Sequence, residues 1–417
     1  MQANVKQVNG KYELPLPLKD KTQLDSGRSR QMARSRINGI KRKLQGDAKF
    51  QADYCDFMST LLQKGYAKRC EENTRGAWYI PHHGVYHPTK KKIRVVFDCS
   101  AQVDGVSLND VLLQGPDLTS SLVGVLMRFR LETVAVMGDI EAMFYQVRVP
   151  KSQRKFLRFF WWPGNNFDVE PQEYEMCVHL FGALSSPSCA NFALRQAARN
   201  NEDSLGLECA DVLRRNLYVD DMLKSYPDEK SAKENILLVD EMCKRGGFNL
   251  TKFVSNSEQV MSSIQTNKQA VSVESPRIGE SKLPVVRALG VSWCIEHDQF
   301  GFMVTLNDTP LSRRAILSSI SSIYDPLGLI SPFLLRGRKI LQEITSETGC
   351  HWDDDLKVKH IQAWSDWRAG LLPLQKLKLD RCYKPKDFGE SVETTLHCFS
   401  DACQYGYGVA CYLRQVN

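Results

Sequence analysis

Apolar residues recur at intervals of three and four in several parts of the chain, the spacing that places them on one face of an α-helix. Residues 29–49 and 50–64 predict two amphipathic helices that end near Gly65. The same spacing predicts a helix over residues 231–243 and three more over residues 311–324, 331–346 and 354–371. Residues 255–285 are rich in Ser, Val, Gln and Asn without this period, so we expect a mobile insertion or linker there.

Short apolar runs predict strands at three places that also carry charged residues. Residues 93–98 alternate and display Arg94 on one face, after a turn that contains Lys90, Lys91 and Lys92. Residues 134–140 form an apolar run that ends in an acid, Asp139. Residues 217–223 predict a strand, a tight turn and a second strand, with two adjacent acids on the turn.

The paired acids of this turn, Asp220 and Asp221, have two explanations. Neighbouring ionised carboxylates repel each other, so a cation that neutralises them would account for the pair. A solvated hairpin turn accounts for it as well, because Asp is a common turn residue. A third acid elsewhere in the chain would favour the cation.

Composition predicts a globular protein of two or three domains, since 42% of the 417 residues are apolar and 25% are charged. No apolar run is long enough to span a bilayer, and no secretory signal is evident. We therefore expect no membrane partner. The expected location is the cytoplasm, in a virus-like particle or ribonucleoprotein, or alternatively the nucleus. The thirteen cysteines are scattered without a Cys-x-x-Cys pair, which indicates neither a disulfide framework nor a zinc site. Three histidines, His82, His83 and His87, lack acids or cysteines at ligand spacing and favour a structural or solvated role.

The formal charge of +7 is concentrated at the N-terminus. Residues 1–50 hold twelve Lys and Arg against four Asp and Glu, which is +8, so the remainder is close to neutral at −1. A basic leader suits contact with phosphate backbones, although a solvated helix face is the commoner reason for such a run.

The motif Tyr218-Val219-Asp220-Asp221 resembles the polymerase motif of reverse transcriptases, and other segments resemble further motifs of that family in the same order. Asp139 with Phe144 five residues later resembles the first motif, the 181–187 glycine turn the second, and Gly246 to Lys252 the fourth. The segment from Tyr324 to Pro332 resembles Pao or BEL retrotransposon polyproteins, for which the label "Pao retrotransposon peptidase" is in use. The whole chain therefore resembles the reverse transcriptase region of a Pao/BEL-type LTR retrotransposon pol polyprotein.

This resemblance implies a role for each matching residue. Asp139, Asp220 and Asp221, with the backbone of Ile140, would hold two Mg²⁺ ions, with Mn²⁺ as a substitute. Arg94 and one of the nearby lysines, of which we select Lys92, would bind the triphosphate. Phe144 would exclude ribose, and Phe181 and Gly182 would contact the nascent base pair. Lys252 would protonate the pyrophosphate, and Asp401 would be the first ligand of an incomplete ribonuclease H site. The primer would be bound by Leu289, Gly290 and Trp293.

The expected fold is an α+β right-hand polymerase. It would comprise a basic leader (1–50), fingers and palm (51–254), the insertion (255–285), a primer-grip hairpin with a helical thumb or connection (286–375), and a truncated ribonuclease H β-hairpin (376–417). The expected activity is RNA-directed DNA synthesis on an RNA or DNA template with a primer and deoxynucleoside triphosphates, with other segments of the polyprotein as further partners.

Several alternatives stay open. Phe144 would also suit a core position, and Ser185 or Ser186 with Pro187 would also suit a helix cap. The chain could be a catalytically inactive, retroelement-derived nucleic-acid-binding fragment. An aspartic peptidase would need Asp25, in Asp25-Ser26-Gly27, or Asp325, but neither has the surrounding sequence that such a site requires.

Overall fold

The computed structural model describes residues 1–19, 26–71, 76–87, 92–270, 285–304, 311–347, 351–385 and 388–417. The chain divides into two compact units, each assembled from separate stretches of sequence. Unit 1 comprises Met1–Ser120, Asp139–Asp220 and Asn235–Thr251, and unit 2 comprises Ser121–Gly138, Asp221–Glu234 and Lys252–Asn417.

Helices and strands are mixed along the whole chain. The strands are β1 Lys6–Val8, β2 Lys11–Glu13, β3 Ala67–Arg69, β4 His82–Tyr86, β5 Ile93–Phe97, β6 Val134–Ile140, β7 Arg158–Trp161, β8 Gln172–Met176, β9 Leu217–Tyr218, β10 Asp221–Tyr226, β11 Leu250–Ser255, β12 Val285–Ala288, β13 Val291–Cys294, β14 Gln299–Gly301, β15 Lys378–Asp380, β16 Glu393–Cys403 and β17 Gly406–Val416. The α-helices are α1 Ser26–Gly46, α2 Ala48–Gln63, α3 Leu108–Val111, α4 Leu122–Phe129, α5 Ser186–Leu205, α6 Leu207–Arg215, α7 Glu229–Arg245, α8 Glu258–Ser263, α9 Arg313–Ser322, α10 Ser331–Ser346 and α11 Val358–Ala369. Short 3₁₀ helices span Gln2–Asn4, Met143–Gln146, Lys151–Leu157, Pro163–Asn165, Thr266–Lys268 and Leu372–Lys376.

The strand that carries Asp139 lies inside a four-stranded sheet with the order β11-β6-β10-β9. Every residue of β6 except Asp139 is buried, as expected of an apolar strand covered on both faces. Asp139 is the only polar residue of this strand, and it lies one residue from the strand's C-terminal end.

The core of unit 1 is rich in aromatic residues from α2, β4, β5, β7 and β8. Tyr54 of α2 stacks on Trp161 with ring centroids 5.3 Å apart. His82 is buried among these rings, and its Nε2 lies 2.9 Å from the carbonyl oxygen of Phe160. Burial lowers the pKa of His82 to about 4, so it is neutral near pH 7 and has the structural role that the sequence favours.

The basic N-terminal segment is an integral part of unit 1. Tyr12, Leu14 and Leu16 are buried, and α1 contributes Ala33, Ile37 and Leu44 to the core. The described residues before position 50 therefore belong to the fold of unit 1 and do not form the separate leader that the sequence predicts. The reason is that the apolar stripe of α1 packs inward while its basic residues remain on the other faces.

Unit 2 contains a four-stranded antiparallel sheet, β12-β13-β14-β15, and the three helices α9, α10 and α11, close to the predicted bounds. Arg381 is fully buried and forms an ion pair with Asp298 at 2.6 Å. Its guanidinium also donates to the backbone carbonyls of Glu132 and Thr133, so this one side chain joins β14 and β15 to the segment before β6.

The start of the expected linker has regular structure. Within residues 255–270, β11 ends at Ser255, and Ser257 caps α8 by accepting a hydrogen bond from the backbone N–H of Val260. Gln269 donates to the carbonyls of Met261 and Ile264. The described part of this segment thus differs from the irregular linker expected from composition, because capping and side-chain hydrogen bonds define a short helix.

No helix in the described ranges has both the length and the apolar character needed to cross a membrane.

Candidate active site

The turn between β9 and β10 carries the paired acids, as the sequence predicts. Tyr218, Val219, Asp220 and Asp221 are all half-buried. Val219 has a φ of 56°, in the left-handed region where a β-branched residue is a genuine outlier. Such a conformation costs of the order of 1–3 kcal/mol and persists only when the surrounding structure imposes it, as is common at functional sites.

Asp139 lies next to this turn. The backbone N–H of Ile140 donates to the carbonyl oxygen of Asp220 at 2.8 Å, which places the end of β6 directly beside Asp220. On the other side, the hydroxyl of Thr251 donates to the carbonyl oxygen of Asp139 at 3.3 Å. The structure therefore brings Asp139 and Asp220 together on adjacent backbone segments, although they are 81 positions apart in the sequence.

A neighbouring acid, Glu141, is engaged by other side chains. Its carboxylate accepts hydrogen bonds from Lys64 Nζ at 2.6 Å and from Asn249 Nδ2 at 2.8 Å. The hydrogen bond to Glu141 raises the pKa of Lys64, so the lysine stays protonated. Glu141 thus links α2 to the segment before β11 and leaves Asp139 and Asp220 as the acids of unit 1 at this turn.

The carboxylates near this turn suit Mg²⁺ in their chemical type but not in the number that the structure brings together. In the part of the chain that the structure describes, no group of three or more His, Cys, Asp or Glu side chains is close enough to hold a metal ion. Magnesium, however, is usually bound by one or two carboxylates together with water and substrate phosphates. Asp139 and Asp220 fit this smaller set, whereas the described residues include no site that gathers three carboxylates.

Phe144 and Phe181 form an aromatic pair in unit 1. Their ring centroids are 4.5 Å apart, with Phe144 in the 3₁₀ helix Met143–Gln146. Phe144 is buried at 8% exposure, whereas Phe181 is 44% exposed. Phe144 therefore lies under an exposed ring, so both its core position and its predicted position below a sugar are compatible with this geometry.

Residues 181–184, which we call the 181–184 loop, approach the end of β5 very closely. Gly182 has a φ of 104°, and a Cβ atom added there would lie 2.6 Å from the carbonyl oxygen of Phe97. Asn109 fixes the same loop, because its side chain donates to the carbonyl of Gly182 at 3.0 Å and accepts from the N–H of Leu184 at 2.9 Å. Only glycine satisfies both the backbone conformation and the space at position 182.

The predicted helix cap after this loop is only partly correct. Ser185 occupies the N-cap position of α5 and Pro187 lies in its first turn, but the side chain of Ser185 makes no capping hydrogen bond. Ser185 has helical backbone angles, φ −84° and ψ −16°, instead of the extended ones that direct a capping side chain toward the free N–H groups.

The predicted triphosphate residues lie on the β4–β5 hairpin. Arg94 is exposed on β5 opposite Val85, and Lys92 is exposed just before β5 and accepts a backbone hydrogen bond from His87. Lys90 and Lys91 lie outside the described residues. Arg94 and Lys92 are thus available to an anion from solvent.

The residues predicted to contact primer and pyrophosphate lie in unit 2. Leu289 and Gly290 form a two-residue hairpin turn, with φ values of 48° and 89°, between β12 and β13. Trp293 is fully buried, with its ring 5.2 Å from Phe129 and its Nε1 donating to Asp298. Trp293 therefore supports the hairpin from inside the fold, and of the three predicted residues only Leu289 and Gly290, in the turn, are accessible to solvent. Lys252 is exposed on β11 with a φ of 53°.

Asp401 and Asp325 have different surroundings. Asp401 is exposed on β16, in a two-stranded β16–β17 hairpin whose residues are mostly exposed. Asp325 accepts hydrogen bonds from the backbone N–H groups of Leu329 and Ile330 at 2.9 and 2.8 Å, so its carboxylate stabilises the turn before α10. Asp25, the other acid of the peptidase alternative, lies outside the described residues.

Residues 312–417 match the family model of the Pao retrotransposon-like RNaseH-like domain. This match begins at α9, within the segment assigned above to the thumb or connection. Among solved structures, a foamy viral protease-reverse transcriptase in complex with double-stranded DNA is similar, with a TM-score of 0.51 and 16% sequence identity. The alignment covers 85% of this chain and 51% of that chain, so the protein spans about half the length of the solved chain. No curated protein matches.

Residues 312–417 are thus similar to a retroelement RNaseH-like domain, and the mixed helix and sheet fold of the chain is similar to that of a foamy viral protease-reverse transcriptase. At 16% identity the structural match concerns the fold alone. The match to residues 312–417 concerns a ribonuclease H-like segment and includes the hairpin that carries Asp401.

Proposed function

We propose that the protein is an RNA-directed DNA polymerase of a retrotransposon, arranged as fingers, palm and thumb. The observation that carries this proposal is the hydrogen bond between Ile140 and Asp220, which brings the acid of β6 beside the strained turn with the paired acids. Two carboxylates on adjacent backbone segments, supported by the buried strand β6, are a suitable arrangement for nucleotidyl transfer.

Asp139 and Asp220 would hold the metal, with Asp221 and the backbone carbonyl of Ile140 as further ligands once a nucleotide is bound. Bound Mg²⁺ would lower the pKa of the primer 3′-hydroxyl and stabilise charge on the triphosphate. The protein's own contribution is to fix both carboxylates before substrate arrives, through β6 and the turn at Val219. Lys252, exposed on β11, is our candidate for the group that protonates the departing pyrophosphate.

The incoming nucleotide would contact two elements of unit 1, the β4–β5 hairpin and the 3₁₀ helix that carries Phe144. Arg94 and Lys92 would bind its phosphates, because both cations are exposed on one hairpin and a guanidinium pairs with phosphate oxygens in a bidentate manner. Phe144 would lie below the sugar, held by its contact with Phe181. A 2′-hydroxyl would then meet the ring, so the site would prefer deoxynucleotides.

Substitution of Phe144 by valine tests this sugar selection. The variant is expected to lower the preference for deoxynucleotides over ribonucleotides by at least about tenfold, because the ring no longer fills the space beside the 2′ position. Phe50→Val, which removes a buried ring from α2, should leave the preference unchanged. An unchanged ratio in Phe144→Val would show that Phe144 is only a core residue.

The polymerase proposal itself is tested by primer extension on an RNA template with Mg²⁺ and deoxynucleotides. Extension of the primer supports it, and the wild-type protein should also bind primer-template more weakly as salt rises. Tight binding without incorporation in either Mg²⁺ or Mn²⁺ would instead indicate an inactive, retroelement-derived binding fragment.

A further inference from the structure

Helix α1 has an unusual charge for a helix that is part of a core. Its 21 residues include seven Lys and Arg and no Asp or Glu. Three of these cations form ion pairs with other elements of unit 1: Arg28 with Asp104, Arg30 with Glu173 and Arg34 with Glu170.

The other four cations of α1 are close together near its C-terminal half. They are Arg36, Lys41, Arg42 and Lys43. Among the described residues, no carboxylate lies within ion-pair distance of any of them. The Nζ of Lys43 lies 4.2 Å from the centroid of the Phe50 ring, a cation–π contact that holds the side chain in place without neutralising its charge. Arg36 and Lys43 are seven positions apart, about two helical turns, so both lie on the same face of α1.

Two of these cations line a cavity between α1 and the β4–β5 hairpin. The cavity has a volume of about 180 Å³ and is lined on the helix side by Arg36, Gly39, Ile40 and Lys43, and on the other side by Pro81, His82, His83 and Asp98. His82 is neutral, and Asp98 is the one acid among these lining residues. Two cations against one carboxylate make the cavity favourable for an anionic group such as a phosphate.

The cavity and the 181–184 loop contact two consecutive residues at the end of β5. Asp98 directly follows Phe97, whose carbonyl oxygen lies against Gly182 of the 181–184 loop. In that loop, Phe181 stacks on Phe144. A template strand that leaves the position beside Phe181 along the end of β5 would run toward Arg36 and Lys43.

We propose that Arg36 and Lys43 form a binding site for phosphates of single-stranded template, just before the template reaches the nucleotide site. This inference rests on the proposed polymerase function for its direction along the template. Phosphate binding by the two cations does not depend on catalysis.

The test measures equilibrium binding of the full chain to two substrates, a primer-template with a single-stranded 5′ template overhang and a blunt duplex of the same length. The double variant Arg36→Gln/Lys43→Gln is compared with Arg28→Gln/Arg34→Gln, which removes the same charge from the same helix at ion-paired positions. Loss of two phosphate contacts should lower the slope of log affinity against log salt by about 1.4 for the overhang substrate, since each single-strand contact contributes roughly 0.7. The blunt duplex should be unaffected.

Two outcomes would overturn the inference. Equal losses in both double variants would mean that only the total charge of α1 matters, and equal losses for both substrates would place the site on duplex. Because binding is read without nucleotide addition, failure of primer extension alone would refute the polymerase and leave this site supported.

Discussion

Replacement of Gly182 by alanine tests whether the 181–184 loop must lie against β5. The substitution adds a Cβ atom where φ is 104° and where the carbonyl oxygen of Phe97 is only 2.6 Å away. Gly206, between α5 and α6, offers a matched control because its φ is 96° and a Cβ there has nothing within 4 Å. Both variants incur the backbone cost, and only Gly182→Ala adds the collision.

The magnitude follows from these two contributions. An L-residue in this backbone region costs of the order of 1–3 kcal/mol. Ordinary contact begins at 3.4 Å, so relief at position 182 needs a displacement of about 0.8 Å (3.4 minus 2.6) against backbone atoms. Forced overpacking of this kind typically costs about 1–3 kcal/mol. Gly182→Ala should therefore lose about 1–3 kcal/mol more stability than Gly206→Ala.

Urea denaturation of the two variants measures this difference, provided that their m-values agree. We also expect Gly182→Ala to raise KM for deoxynucleotides, because the displaced loop carries Phe181. Equal stability of the two variants would refute the close approach of Gly182 to β5.

Three further predictions concern other residues. Asn109→Ala removes both side-chain hydrogen bonds between Asn109 and the 181–184 loop. The variant should lower the free energy of unfolding by roughly 1–3 kcal/mol and raise KM for deoxynucleotides. An unchanged KM would contradict a positioning role for Asn109. Burial lowers the pKa of His82 from 6.5 to about 4. As the pH falls, this histidine is therefore protonated in the unfolded chain before it is protonated in the folded one. About 3 kcal/mol of the folding stability present above pH 6.5 should be lost as the pH falls to 4. His82→Gln should flatten this part of the pH profile and His83→Gln should not; equal profiles would contradict the assignment. Cys398 and Cys411 are direct cross-strand partners with sulfurs 3.2 Å apart, so oxidised glutathione should oxidise them to a disulfide while it is reduced to two glutathione thiols, which take up the two cysteine thiol protons. Peptide mapping that finds both cysteine thiols free would refute this pairing.

Elements with strong apolar periodicity could be predicted from the sequence. The bounds of α10 agree with the predicted helix, and α1 and α2 end within a few residues of the predicted positions. The integral position of residues 1–19 and the structure after Ser255 were not predicted. They depend on packing and on side-chain hydrogen bonds between residues distant in sequence, which local periodicity does not record.

The candidate site could be predicted only in part, because its arrangement also depends on contacts between residues that are distant in sequence. Asp139, Asp220 and the aromatic at position 144 were found through a resemblance, because no local pattern indicates that β6 lies beside the paired acids. The strain at Val219 and the role of Asn109 had no sequence signal, since both depend on the three-dimensional path of the chain. Trp293 was selected for primer contact, but its apolar ring is fully buried.

The most direct test of the central claim is the rate at which one deoxynucleotide is added to a primer on an RNA template in Mg²⁺, with primer-template affinity measured on the same samples. We predict that Asp139→Asn and Asp220→Asn each reduce the rate by several orders of magnitude while affinity and folding stay close to wild type, and that Asp203→Asn on α5 changes neither. Nucleotide addition at the wild-type rate by either Asp139→Asn or Asp220→Asn would contradict the proposed site.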